Sequence, residues 1–352
     1  MSAAVRAFLA LTGARLPIVQ APMANFAGVE LAIAALGAGG VGSLPCAVLD
    51  ATAIVAQART VRAAASGPLN LNFFAHHLGP VPDDSAWQAR LAPFYAAEGV
   101  GPPETPPPLR RPFDDAACAA VEAVRPEIVS FHFGLPDETL LARVRTTGAR
   151  IFGNATNVAE ARYLAERGCD AIIAQGFEAG GHAGHFLHGH RPVGLFALIP
   201  QVADATRLPV IAAGGVADER GAAAAITLGA AAVQVGTAYL VAPESKASAV
   251  HRAALAGAGA DDSLFTNLFT GGLARGLRNR LIDALGAVDP AAPPFPHASA
   301  ALAALKARAE GEGRGDYSSL WAGQGVALAR AEPARTITER LGTAALNAEE
   351  IR

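Results

Sequence analysis

AIIAQGFEAGGHAGHFLHGH, spanning Ala171 to His190, decides how the rest of the chain is read. Its first four residues are a short apolar run of the kind that forms a strand buried on both faces. Gln175 and Gly176 end the run, and Glu178, Gly180, Gly181 and then His182 follow. A glycine pair carries no Cβ, so its backbone can approach a ligand closely. A histidine just beyond it, on a loop seated at a rigid strand end, can be aimed at that ligand. The stretch therefore predicts a strand, a close-approach turn and an imidazole facing something flat or anionic.

Similar apolar runs recur on both sides: Pro17 to Gln20, Gly40 to Leu44, Leu69 to Phe74, Ile128 to Phe133, Arg150 to Asn154, Val210 to Ala213 and Ala232 to Gly236. With Ala171 to Gln175 they make eight, alternating with amphipathic segments. Such alternation calls for parallel strands joined by right-handed crossovers, and eight units match an α/β fold of the TIM (β/α)8 barrel type. Asn157 with Glu160 predicts a capped helix start, Gly168 its stop, and Asp218 the cap of the helix after the seventh strand. Two regions depart from the repeat. Residues 77–112, rich in proline and including Pro106 to Pro108, read as an irregular insertion. Residues 246–320 exceed one crossover helix, and two helical patterns around Asp289 to His297 predict a smaller, mostly helical second domain beside the barrel mouth. The barrel then covers residues 1–245, the helical cap 246–320, and a C-terminal return with a surface helix 321–352.

Composition narrows the class. Hydrophobic residues make up 51% and charged ones 17%, which excludes a disordered chain. A net charge of −3 gives no reason to expect nucleic acid or an anionic membrane as partner. Two uncharged windows, Leu31 to Leu49 and Gly221 to Pro243, are interrupted by glycines and read as helix–strand pairs, not membrane spans. Ala7 to Leu11 is too short for the apolar part of a signal peptide. Cys46, Cys118 and Cys169 form no pair motif and read as buried small hydrophobes of a cytoplasmic protein.

In a barrel of this type ligands meet the loops after the strands, and phosphates are commonly held after strands seven and eight. Gly214 and Gly215 follow the seventh run, and Gly236 and Thr237 the eighth. Two glycine turns at adjacent strand ends point to an anion site of backbone N–H groups. Ala21, Pro22 and Met23 follow the first run, where the proline stiffens the loop and the thioether offers a soft surface for a flat ring. Asn72 and Gln175, at the ends of the third and sixth runs, are amides that can read the edges of a ring such as a flavin. The histidines 182, 185, 188 and 190 invite a metal, but the run lacks carboxylate or thiolate ligands beyond Glu178, so no metal is assigned. Glu178 reads as a base or, more often at such a position, as a cap or orienter of its loop.

QAPMA at Gln20 to Ala24, QGFEAGGHAG at Gln175 to Gly184, AAGGV at Ala212 to Val216 and QVGTAYL at Gln234 to Leu240 together resemble nitronate monooxygenases, formerly 2-nitropropane dioxygenases. FTGGLARGLRN at Phe269 to Asn279 and LWAGQG at Leu320 to Gly325 resemble the class I members. The resemblance implies an FMN enzyme that oxidises alkyl nitronates with O2 to a carbonyl compound and nitrite, without a nicotinamide cofactor. It implies His182 as the catalytic histidine. FMN contacts fall on Ala21, Pro22, Met23, Asn72, Gln175, Gly180, Gly181, Gly214, Gly215, Gln234, Gly236 and Thr237, and a substrate pocket on His132, Tyr317 and Trp321. This chain departs from the family pattern at Asn25 and Phe26, expected to reshape the mouth near the flavin, and at Ala183, where the family often has arginine.

Two mechanisms are open at this point. A protonated His182 would hold the nitronate by a charge-assisted hydrogen bond, whereas a neutral one would take the α-proton of a nitroalkane. Two rival functions are an NAD(P)H-dependent flavin reductase of quinones or enoyl-thioesters on the same fold, and a non-catalytic barrel that only binds a phosphate ligand. The expected partners are a small-molecule nitronate and O2, with a homodimer left open.

Overall fold

A computed structural model describes residues 1–103, 109–259 and 261–348. The expected proline run at 106–108 lies outside the described residues.

Eight parallel strands form one sheet: β1 (Ile18–Gln20), β2 (Gly42–Pro45), β3 (Leu69–Phe74), β4 (Ile128–His132), β5 (Arg150–Ala155), β6 (Ala171–Gln175), β8 (Val210–Ala213) and β9 (Ala232–Val235). The missing number is a two-residue strand, β7 (Gly181–His182), which belongs to a second sheet. Every expected run is a strand, because each is a short, mostly apolar segment buried along nearly its whole length. The sheet order is β1-β9-β8-β6-β5-β4-β3-β2. It closes where Val41 N donates to Ile18 O (2.8 Å) and Gln20 N to Val41 O (2.9 Å).

The helices α2 (Val29–Ala38), α3 (Ala51–Ala64), α5 (Asp115–Val124), α6 (Glu138–Thr146), α7 (Val158–Glu166), α8 (Leu195–Thr206) and α9 (Glu219–Thr227) follow the strands. The two apolar windows are therefore helix–strand pairs. Asn157 caps α7 by accepting from Glu160 N (3.0 Å), and Asp218 caps α9 by accepting from Gly221 N (3.1 Å). The Glu160 carboxylate does not reach back to Asn157. It is fully buried and accepts instead from Thr156 N and Oγ1 and from Phe186 N, tying the loop after β7 to the barrel.

The N-terminal helix α1 (Ala3–Thr12) turns Phe8 into a cluster with Ile128, Ala171 and Ala232, each the first residue of its strand. That seals the N-terminal mouth and leaves the opposite end open. After β9 the chain makes one turn, α10 (Thr237–Leu240), and leaves the barrel before returning as α14 (Ala334–Asn347). The return was expected to be a surface helix. One face of α14 is exposed, and the other buries Ile337, Leu341 and Ala345 in one cluster with Leu31 of α2 and Ile226 of α9, so the helix joins the outer ring.

The excursions after β3 and β9 meet. Residues 77–112, expected to be irregular, contain α4 (Ser85–Glu98), whose Trp87, Leu91 and Tyr95 are buried. They share a core with Leu281 and Ile282 of α12 (Arg280–Leu285) and with Leu302 and Leu305 of α13 (Ser299–Gly311). Trp87 Nε1 donates to Ala298 O (3.2 Å) and Tyr95 Oη to Ala301 O (2.6 Å). The later segment also holds α11 (Ala249–Gly257) and two strands, β10 (Ser263–Thr266) and β11 (Ala274–Leu277). β11 pairs antiparallel with β7, placing Ala274 opposite His182. Among the described residues no helix is long and apolar enough to cross a membrane. The three cysteines are buried and unpaired, and burial pushes the Cys169 thiol up to about 12.

Candidate active site

The open ends of the strands surround one cavity. Ala21, Pro22, Met23, Asn72, Gln175, Gly180, Gly181, Gly214, Gly215, Gln234, Gly236 and Thr237 all line it, together with His132, His182 and Trp321. The lining falls into two groups with different chemistry.

One group is glycine and backbone. Gly214 and Gly215, directly after β8, have φ of 124° and 70°, the left-handed region that strains any side chain. A Cβ on Gly214 would stand 2.9 Å from Ala179 N. Gly323 N donates to Thr237 Oγ1 (2.9 Å), and Gly325 abuts Gly215, so the chain returning from the second excursion closes this end. Gly323 and Gly325 belong to LWAGQG, where no lining residue beyond Trp321 was expected.

The other group is aromatic and imidazole. His182 has ring neighbours in Phe295 (5.0 Å), Trp321 (5.6 Å), Phe133 (6.1 Å) and Phe74 (6.4 Å). Its Nε2 lies 2.9 Å from Thr270 Oγ1, and that hydroxyl also approaches Gly272 O at 3.4 Å. A hydroxyl has one proton. If it serves Gly272, the oxygen accepts from Nε2–H and the lone pair of His182 sits on Nδ1. Burial first, and then the Arg110 charge, hold the His182 pKa well below its usual range. His132 and His76 are both lowered to about 4, chiefly by burial. All three imidazoles are neutral at pH 7.

Polar groups between the two ends are only partly free. Asn72 Nδ2 donates to Ser130 Oγ (2.9 Å), which leaves its amide oxygen open. Gln234 Oε1 is buried with no protein partner. Gln175 is largely committed: Oε1 accepts from Gly184 N (2.8 Å) and Asn154 Nδ2 (3.1 Å), and Nε2 donates to His182 O (2.8 Å). Its amide therefore holds the backbone of His182 in place. Gly184 permits this, since a Cβ there would lie 2.5 Å from His132 Cε1.

Tyr317 is a correction. It does not line the cavity; its phenol donates to Glu98 Oε1 (2.9 Å) on α4 and its ring packs on Phe94. Arg314 and that phenol hold the Glu98 carboxyl down at about 2. Glu178 takes the capping role, accepting from Leu195 N at 2.9–3.0 Å at the start of α8. His185 and His190 lie against each other with tilted rings, centroids 5.3 Å apart, and His188 is exposed. Asn25 adopts φ 69°, and Phe26 lines the cavity with its ring on His251 at 4.9 Å. Phe74, Arg110 and Asn154 also line the cavity and were not expected there. Phe74 and Asn154 could have been found by extending the strand-end argument from Asn72 to every barrel strand, whereas Arg110 carries no such signal.

A family model described as nitronate monooxygenase matches residues 6–343. A nitronate monooxygenase of Paraburkholderia phytofirmans is 41% identical over 96% of this chain and 94% of its own length. One of Pseudomonas aeruginosa is 39% identical over 95% and 98%. Among solved structures, the nitroalkane oxidase of Streptomyces ansochromogenes superposes with a TM-score of 0.87 at 34% identity, covering 97% of this chain and 98% of that one. FabK of Thermotoga maritima superposes at 0.75 with 25% identity, covering 96% and 95%.

Proposed function

Because the chain belongs to the nitronate monooxygenase family, we propose that its cavity holds FMN and oxidises alkyl nitronates with O2 to a carbonyl compound and nitrite. The observation that carries this reading is one cavity with a glycine cradle at one end and a tethered, neutral histidine at the other.

The residues present fit the cofactor. The positive-φ turn at Gly214 and Gly215 leaves room for a phosphate where side chains would intrude. The orphaned Gln234 Oε1 is a buried acceptor that a ring N–H would satisfy, and the open oxygen of Asn72 is another. Met23, whose Sδ lies 3.7 Å from where a Cβ on Gly236 would be, offers a polarizable surface to a flat ring. Bound FMN supplies the electron acceptance and the O2 chemistry.

The chain supplies position, dryness and a base. The aromatic wall of Phe74, Phe133, Phe295 and Trp321 keeps water from the reacting carbon. A neutral His182, held through Nε2 by Thr270 and through its carbonyl by Gln175, offers its other nitrogen to the α-proton of a nitroalkane. Depression of its pKa favours this role over the protonated anion-holder. The test is the visible absorbance of the purified protein followed by nitrite release from a short alkyl nitronate in air. A yellow protein that releases nitrite supports the proposal. Anaerobic bleaching by NADH without nitrite release supports a reductase, and a colourless protein that takes up no FMN removes both flavin readings.

A further inference from the structure

With the nearby imidazoles neutral, the charge that an anionic substrate meets must come from elsewhere. Arg110 lines the cavity, its charge lowers the pKa of His182 and its backbone lies against the His76 ring, so it stands at the histidine end. Its segment is anchored by Phe113, whose N donates to Phe74 O (2.7 Å) and whose ring packs on Phe73 (4.8 Å) and Phe131 (5.2 Å). Arg111 next to it pairs with Asp114. Among the described residues Arg110 makes no ion pair; its Nε is buried without a hydrogen-bond partner. Among the described residues this partly buried guanidinium faces no counter-charge, and a buried cation is costly unless something anionic completes it.

We propose that Arg110 is the cation that holds the anionic head of the substrate, and that it selects the nitronate over its neutral nitroalkane. The proposal rests on the function given above. A nitronate spreads its charge over two oxygens on one nitrogen, and a guanidinium fork matches such a pair with two parallel N–H groups. With the charge met by Arg110, His182 has no need of a proton to bind substrate and remains available as a base.

Nitrate has the same planar O–N–O edge but no carbon to oxidise, so it reports binding without turnover. Its affinity is measured by titration against the flavin absorbance of the holoenzyme in wild type, R110M, R110Q and R110K, beside KM and kcat for a short nitronate and its nitroalkane. R110M and R110Q are expected to weaken nitrate by about 10- to 100-fold and to raise KM for the nitronate more than for the nitroalkane. R110K, which keeps charge but not the fork, should recover part of the loss. Nitrate binding to R110M and R110Q as in wild type, or no nitrate binding to wild type, overturns the proposal. Loss of nitrate binding in those variants with no nitrite release by wild type would uphold the anion site and sink the nitronate reading alone. R110Q serves if R110M fails to fold.

Discussion

The two ends of the cavity are built in opposite ways. The glycine end is largely the barrel's own: Gly214, Gly215, Gly236 and Thr237 directly follow β8 and β9, and only Gly323 and Gly325 come from afar. The histidine end is assembled from distant pieces. His182 sits on β7, which pairs not with the barrel but with β11; Thr270 and Phe295 come from the second excursion, and Arg110 from the first. Cofactor binding should therefore survive damage to the excursions better than chemistry does.

Four changes test that division, from the largest expected effect to the smallest. Trp87→Ala empties a fully buried site in the core shared by both excursions and should cost about 3–5 kcal/mol in denaturant unfolding. If the division holds, the folded fraction still binds FMN while its nitronate turnover falls; equal loss of both would erase the contrast. Gly214→Val places a Cβ against Ala179 N at a φ of 124° and should weaken FMN by about 1–3 kcal/mol, read by flavin titration, while R110-dependent nitrate binding persists in the flavin-loaded fraction. Thr270→Val removes the tether of His182 and should lower kcat/KM by about 1 kcal/mol with FMN affinity unaltered.

The smallest effect concerns His251 on α11, buried against Trp321 O (3.0 Å), with its pKa lowered to about 4, first by burial. The unfolded ring takes a proton near pH 6.5, and the folded one refuses it until about 4. The stability this neutral histidine lends is thus complete above pH 6.5 and drains away as pH falls toward 4. The advantage of wild type over His251→Gln in thermal melts should be constant above pH 7 and shrink below 6.5. A pH-independent difference would count against the buried neutral ring.

The same division explains what the sequence could disclose. Each barrel strand is a local, mostly apolar run, and the glycine turns follow their strands directly, so both were legible. The β7–β11 pairing was not, because Gly181 and His182 are too short a strand to carry periodicity and their partners lie far along the chain. Nothing in the proline-rich neighbourhood of Arg110 marks its side chain as cavity-facing. Tyr317 misled for a related reason: its partner, Glu98, sits on α4, a helix that the surrounding prolines obscured. The inner face of α14 was readable in the spacing of Ile337, Leu341 and Ala345, but its role as the last helix of the ring depends on where α2 and α9 stand.

Whether the histidine end carries the chemistry can be read in one experiment: anaerobic mixing of a short alkyl nitroalkane with the flavin-loaded wild type and His182→Asn, following the flavin absorbance. Wild type should bleach, and the variant, with the same flavin content, should bleach about 100- to 10,000-fold more slowly. Equal rates would mean that the imidazole of residue 182 is a bystander.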